Sequence, residues 1–170
     1  VINEVFSEIG EIELVIPLSA IVADTVKSMV KSWQFNIYFT ETDEEKYDAM
    51  AASNVALAAS GTVCLELALA NLPNVTMYKM SWITNLLAKL LVKTKYVNLV
   101  NVLFDKEIVP ELLLMACTPS NITSKLLKII QDSSIRQKQL KYFGLVAERL
   151  QNGENKPSEI AAKAILKYVN

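Results

Sequence analysis

Short runs of apolar, β-favouring residues alternate along this chain with longer segments of helical period, and that alternation admits few folds. It is the pattern of βαβ units built around a parallel sheet. Ile12 to Pro17 is the first strand candidate, and Val22 to Lys31, with Val22, Val26, Met29 and Val30 on one stripe, is its covering helix. Phe35 to Phe39 reads as a second strand. The acidic run Glu41 to Glu45 reads as a solvated helix start, with Thr42 or Asp43 as cap for a short helix through Met50. Val55 to Ala58 is a third strand, small enough in its side chains to be buried on both faces. Thr62 to Ala70 favours helix, and Asn71, Pro73 and Asn74 mark a turn into a fourth strand, Val75 to Tyr78.

Further on, Ile83, Leu86, Leu87, Leu90 and Leu91 have the spacing of an amphipathic helix, and Tyr96 to Leu103 reads as a further strand and loop. Beyond Pro110 the chain is expected to be helical to its end. Thr118-Pro119 caps and opens a helix through Ile130, a second runs to about Leu150 and stops at Asn152-Gly153, and a last begins near Ser158. Ile160, Ala161, Ala164, Ile165 and Tyr168 of that last helix are expected to pack back onto the body of the domain. A length of 170 residues, 52% of them hydrophobic, supplies one domain with a real core, so residues 1–170 are read as a single domain.

Composition narrows the chemistry. The chain contains no His, which removes imidazole acid–base catalysis, Ser-His and Cys-His nucleophile pairs and most zinc chemistry. Lys plus Arg (17) nearly balances Asp plus Glu (18), so no net field draws the whole molecule to nucleic acid. Cys64 and Cys117 show no CxxC spacing and read as reduced core thiols of a cytoplasmic protein. The longest uncharged run, Ala49 to Leu65, is broken by Ser53, Asn54, Ser60, Gly61 and Thr62, a poor membrane span. The opening residues lack an initiating Met and the layout of a signal peptide, and read as the middle of a longer polypeptide.

Ligands of open parallel sheets bind beyond the carboxyl ends of strands, which directs attention to Ala59 to Thr62. Ser60-Gly61-Thr62 opens a helix, where unpaired backbone N–H groups suit a phosphate. Gly61 permits close approach, Ser60 and Thr62 add hydroxyls, and Glu66 lies one turn deeper on the same face, where a carboxylate can accept from ribose hydroxyls. Taken alone, a strand ending in Ser-Gly-Thr is more often a capped tight turn, Glu66 a surface salt-bridge partner, and Asn101 a turn residue. Lys79 and Lys93 read as solvated, and Asp43, Glu44 and Glu45 have no evident partner.

The wider string Ala56-Leu57-Ala58-Ala59-Ser60-Gly61-Thr62-Val63-Cys64-Leu65-Glu66 resembles the nucleotide-sugar loop of lipid-A-disaccharide synthases. Tyr47 to Ser53 is similar to the segment before that loop, Tyr78-Lys79-Met80 to the segment after the next strand, and Val15-Ile16-Pro17-Leu18 to an early strand. Leu86 to Val92, Lys93 to Asn101 and Val109-Pro110-Glu111-Leu112-Leu113 resemble later stretches of the family in its order. Two positions depart from its pattern: Val100 stands where a Pro commonly precedes the Asn, and Phe104-Asp105 where a Gly is common.

The resemblance implies an α/β fold with a Rossmann-like parallel sheet flanked by helices, the C-terminal, donor-binding half of a B-type glycosyltransferase, with a helical C-terminal tail. By that resemblance Ser60, Gly61 and Thr62 meet the diphosphate of a UDP-sugar, Glu66 its ribose, and Asn101 lies near the donor. The implied reaction joins UDP-2,3-diacylglucosamine to 2,3-diacylglucosamine 1-phosphate and releases UDP, with no metal or other cofactor. The acceptor domain with its acidic catalytic residues is expected upstream of these residues, so the chain alone is expected to catalyse no transfer. Work at the cytoplasmic face of the inner membrane, with peripheral lipid contact near Trp82 to Leu91, and homo-oligomerisation are compatible with this reading. Two alternatives stay open on the residues: another UDP-sugar enzyme of the same architecture, such as a UDP-N-acetylglucosamine epimerase or an N-acetylglucosaminyl transferase, and a non-catalytic nucleotide-binding module.

Overall fold

A computed structural model describes residues 1–79, 95–151 and 157–167. The helix expected at Ile83 to Leu91 and the stop at Asn152-Gly153 lie outside these residues. The fold is α/β with parallel strands flanked by helices, in two sheets. The strands β1 (Glu13–Pro17) and β2 (Asn36–Thr40) form a parallel pair, joined through helix α2 (Ala23–Val30). The strands β3 (Ala56–Ala59), β4 (Asn74–Tyr78) and β5 (Glu111–Leu113) form a parallel triplet with β4 at its centre. Helix α1 (Ile2–Ile9) leads into β1, α3 (Asp43–Ala52) connects the two sheets, and α4 (Val63–Leu69) connects β3 to β4. The chain then adds α5 (Leu99–Phe104) before β5, and α6 (Pro119–Gln131), α7 (Ser133–Gln151) and α8 (Pro157–Leu166) after it.

Local chemistry explains several boundaries. The Thr42 hydroxyl accepts from Glu45 N while the Glu45 carboxylate accepts from Thr42 N, a reciprocal cap that starts α3. Thr118 caps α6 at Asn121 N, and Pro119 follows at the first helical position, where a missing N–H costs nothing. Asn71 takes a positive φ of 52° to reverse the chain between α4 and β4.

The triplet carries the core. Val75 of β4 and Leu112 of β5 pack with Val5 of α1 and Ile122, Leu126 and Ile129 of α6. The alternation of the strand turns Asn74 and Thr76 to the opposite face, toward α4, α5 and α7. There Ala68, Val100, Val109, Phe143 and Val146 form a second cluster, and Met50, Leu67 and Leu72 a third. Gln139 on α7 both accepts from Asn74 N and donates to Asn74 O, closing the start of β4 with a buried amide.

Four expectations are corrected. Tyr96 to Leu103 is no strand: the Asn98 side chain accepts from Val100 N and Asn101 N and so starts α5 at Leu99. The chain is not wholly helical beyond Pro110, because Glu111–Leu113 pairs with Thr76 to Tyr78 as β5. A three-residue strand is too short to show a period of two in sequence. The third strand is not buried on both faces: it is the edge of the triplet, with Leu57 and Ala59 exposed. Lastly, Ala164 and Ile165 of the face of α8 expected to pack on the domain are exposed, while the side chains of Ile160, Ala161 and Tyr168 lie outside the described residues.

Candidate functional site

The carboxyl end of β3 passes through Ser60, Gly61 and Thr62 into α4. Ser60 N donates to Met77 O and so continues the β3–β4 ladder by one bond. Beyond it the backbone leaves the ladder. Among the described residues nothing accepts from the N–H groups of Gly61 and Thr62, and the Thr62 hydroxyl makes no cap bond to α4. An ordinary capped tight turn would make such a bond. A Cβ built on Gly61 meets nothing within 4 Å, and its φ lies outside the positive range. Neither the backbone nor the packing of this chain therefore requires glycine here.

Glu66 projects from the first turn of α4, half-buried. Its Oε2 lies 3.0 Å from Lys46 Nζ, and Lys46 also lies 2.9 Å from Asp43 Oδ1. The hydrogen bond to Asp43 first, and that to Glu66 second, hold the Lys46 ammonium well above the usual lysine range. Asp43, read from sequence without a partner, thus has one. Lys46 is the site residue that sequence reasoning missed. Its one signal is that it is the single cation within the acidic stretch Glu41 to Asp48.

Lys46 also joins the turn to a cleft of about 450 Å³ at the carboxyl ends of β1 and β2, whose walls include Pro17, Ser19, Thr40, Thr42 and Asp43. The Thr40 hydroxyl, buried there, has no hydrogen-bond partner among the described residues. The cleft and the Ser60 to Thr62 turn thus each lie beyond the carboxyl ends of strands, one in each sheet, where open parallel sheets bind ligands.

Asn101, expected near the donor, uses its side chain within the fold. Its side chain is fully buried on α5, where Nδ2 donates to Val109 O and Glu111 Oε1, both at 2.7 Å, and Oδ1 accepts from Ile108 N and Val109 N. Two donors and two acceptor positions are the whole capacity of an amide side chain, so none remains for a ligand. Asn101 is a clamp on the loop between α5 and β5. Glu111 extends the clamp by accepting from Val97 N and Asn98 N, and Asn98 Nδ2 donates to Thr76 Oγ1. Thr76 Oγ1 lies 3.7 Å from Cys64 Sγ, so this buried polar chain runs from β5 to the helix that follows Thr62.

The same region explains the two departures noted in sequence. Asp105 holds a left-handed φ of 45° at the end of α5, a conformation that glycine favours and that aspartate also tolerates. Val100 supplies an N–H to the Asn98 cap, which a proline could not.

Both cysteines are free thiols, Cys64 buried and Cys117 half-buried. No helix among the described residues is long and apolar enough to cross a membrane.

Comparison with known proteins supplies what geometry cannot. The chain matches the lipid-A-disaccharide synthetase family model over residues 1–165. It is 40% identical over 163 residues to the lipid-A-disaccharide synthase of Rhodospirillum centenum, covering 96% of this chain and 41% of that protein. The enzyme of the same name from Paramagnetospirillum magneticum is 38% identical, over 94% of this chain and 41% of the relative. A probable mitochondrial lipid-A-disaccharide synthase of Arabidopsis thaliana is 37% identical over 72% of this chain and 30% of its own length. The chain therefore spans about two fifths of the length of the curated bacterial relatives it matches. With a family match along nearly its whole length and an α/β fold of parallel strands to go with it, the chain belongs to the lipid-A-disaccharide synthetase family.

Proposed function

We propose that these residues are the donor-binding domain, with the B-type glycosyltransferase fold, of an enzyme that transfers 2,3-diacylglucosamine from UDP to 2,3-diacylglucosamine 1-phosphate. UDP leaves, and the product enters lipid A synthesis. Family membership favours this reading over an epimerase, another N-acetylglucosaminyl transferase or a non-catalytic module. The observation that carries the site is the Ser60 to Thr62 turn: two backbone N–H groups without acceptors among the described residues, an uncapped threonine hydroxyl and a glycine with open space before it. Such a turn suits a diphosphate, whose negative charge rises as the sugar–phosphate bond breaks, and donors already aimed at those oxygens stabilise that charge. Glu66 keeps Oε1 free of the Lys46 ion pair to accept from ribose, while Lys46 holds the carboxylate in place. Asn101 acts through the loop it closes.

Acceptor binding and the catalytic acid or base belong, on this reading, to polypeptide outside these residues, and the isolated chain transfers no sugar. The full enzyme works at the cytoplasmic face of a Gram-negative inner membrane, where its acylated substrates lie. Titrating UDP into isotope-labelled chain and following backbone amide shifts tests the site. Shifts centred on Ser60 to Glu66 that weaken in Glu66→Ala support it. Saturating shifts centred elsewhere, unchanged by that substitution, count against it.

A further inference from the structure

The proposed donor site sets two negative groups close together. Glu66 stands in the first turn of α4, directly after Ser60 to Thr62, so a carboxylate that accepts from ribose lies within about one helical turn of the diphosphate. Like charges so close oppose one another, and more strongly where protein replaces water. The neighbouring helix deepens the conflict. Its first turn carries Asp43, Glu44 and Glu45, and Asp48 follows. Glu45 spends its carboxylate on the N–H groups of Glu41 and Thr42, and Glu41 has its own cation, Lys27, at 2.7 Å.

Asp43 and Glu66 share Lys46. Its Nζ lies 2.9 Å from Asp43 Oδ1, 3.0 Å from Glu66 Oε2 and 4.6 Å from the centre of the Tyr47 ring, contacts that hold the ammonium at one point. The side chains of Lys46 and Glu66 are 22% and 31% exposed, so water screens their attraction less than that of a fully exposed pair. Lys46 also lines the cleft beyond β1 and β2, where the buried Thr40 hydroxyl lacks a partner among the described residues. The cation therefore meets both the carboxylate beside the turn and the cleft that adjoins it.

We infer that Lys46 is the charge compensator of the donor site: its ammonium offsets the Glu66 carboxylate, so that a ribose-reading carboxylate and a substrate diphosphate can occupy one place. The inference rests on the UDP-sugar reading of the turn. Lys46 acts through Glu66 and need not touch phosphate. A residue that only held Glu66 in place would matter equally to every ligand with a ribose, whereas a compensator matters most to a ligand that also carries the diphosphate. A direct phosphate contact differs again, because neutralising Glu66 would not replace it.

Titrations of UDP and of uridine, read at the backbone amides of Ser60 to Glu66 in isotope-labelled chain, separate these roles. The proteins compared are the unsubstituted chain, Lys46→Met, Lys46→Arg, and Lys46→Met combined with Glu66→Gln, which keeps an acceptor oxygen and removes the charge. Both ion pairs of Lys46 are partly exposed, so each variant folds, as unchanged β4 amide shifts will verify. In Lys46→Met, UDP affinity is expected to fall about tenfold or more beyond any fall in uridine affinity. Lys46→Arg, which keeps the charge, stays within about threefold of the unsubstituted chain for both ligands. Adding Glu66→Gln to Lys46→Met restores most of the UDP affinity. Equal losses for UDP and uridine in Lys46→Met, no loss for either, or a UDP loss that Glu66→Gln does not relieve overturns the inference and leaves the UDP site standing. UDP shifts that centre elsewhere in the unsubstituted chain, or none at millimolar UDP, overturn the UDP-sugar reading and the inference with it.

Discussion

The pair β1-β2 and the triplet β3-β4-β5 are built from similar residues and are both parallel, yet they are stabilised to different degrees. In β4, Asn74, Val75 and Thr76 are fully buried, with a strand on either side, α1 and α6 against one face and α4, α5 and α7 against the other. In β1 and β2 exposed and half-buried positions alternate, and Thr40 alone of the ten residues is buried. Val15 and Tyr38 stay open to solvent. The difference shows that strand composition does not set the burial of a parallel strand; neighbours do. It also separates two kinds of polar group. Those around β4 are mostly spent on one another, with Asn74 Oδ1 left without a partner among the described residues, whereas those at the carboxyl ends of β1, β2 and β3 line the cleft and the turn.

The largest expected effect breaks the comparison directly. Phe143→Ala empties a fully buried position behind the triplet and should cost about 3–5 kcal/mol in urea unfolding, whereas Val15→Ala on the pair should stay within about 0.5 kcal/mol. Equal losses would mean that the two sheets share one core. Asn101→Ala leaves Ile108 N, Val109 N and Val109 O without their partner, and a loss on the order of 3 kcal/mol is expected. In samples still folded, UDP shifts at Ser60 to Glu66 should survive this substitution. Their selective loss would make Asn101 a ligand contact after all.

Gly61→Ala sharpens the contrast from the other side. The added methyl meets nothing within 4 Å, so thermal stability should change by under about 0.5 kcal/mol while the UDP response falls about tenfold or more. Glu66→Ala breaks a partly exposed, solvent-screened ion pair, so its main consequence should appear in the UDP titration and not in the melting curve. The smallest effect concerns acid. Backbone N–H groups of Glu41 and then Thr42 lower the Glu45 pKa in the folded chain. The capping contribution of Glu45 is therefore complete above the ordinary carboxylate value near ~4.3 and is lost as pH falls through the lower folded value. Carbon chemical shifts of α3 should move toward coil over that window while those of β4 hold; simultaneous change would tie α3 to the core.

Much of the fold was legible because its signals are local. The cap at Thr42, the Thr118-Pro119 helix start and the turn at Asn71 to Asn74 depend on a few neighbouring residues, and each lies where sequence placed it. The region from Tyr96 to Leu113 was misread because its organisation is not local. Asn98 starts a helix where β-favouring residues suggested a strand, and β5 exists only because β4 offers an edge. The turn at Ser60 to Thr62 was found from sequence, since a strand, a glycine and a helix in succession imply free N–H groups. Lys46 was not, because only the approach of α3 to α4 brings it to Glu66.

By itself the sequence determined the α/β class, the helix caps at Thr42 and Thr118 and the strand, turn and helix around Ser60 to Thr62, all properties of residue type and short-range spacing. Tertiary structure alone decided that Asn101 is sealed inside a loop clamp, that Lys46 ties Asp43 to Glu66, and that β3 is an edge and not a buried centre. The physical reason is the same for all three. Hydrogen bonding and burial are relations between residues that the chain must first bring together, and no single segment carries them.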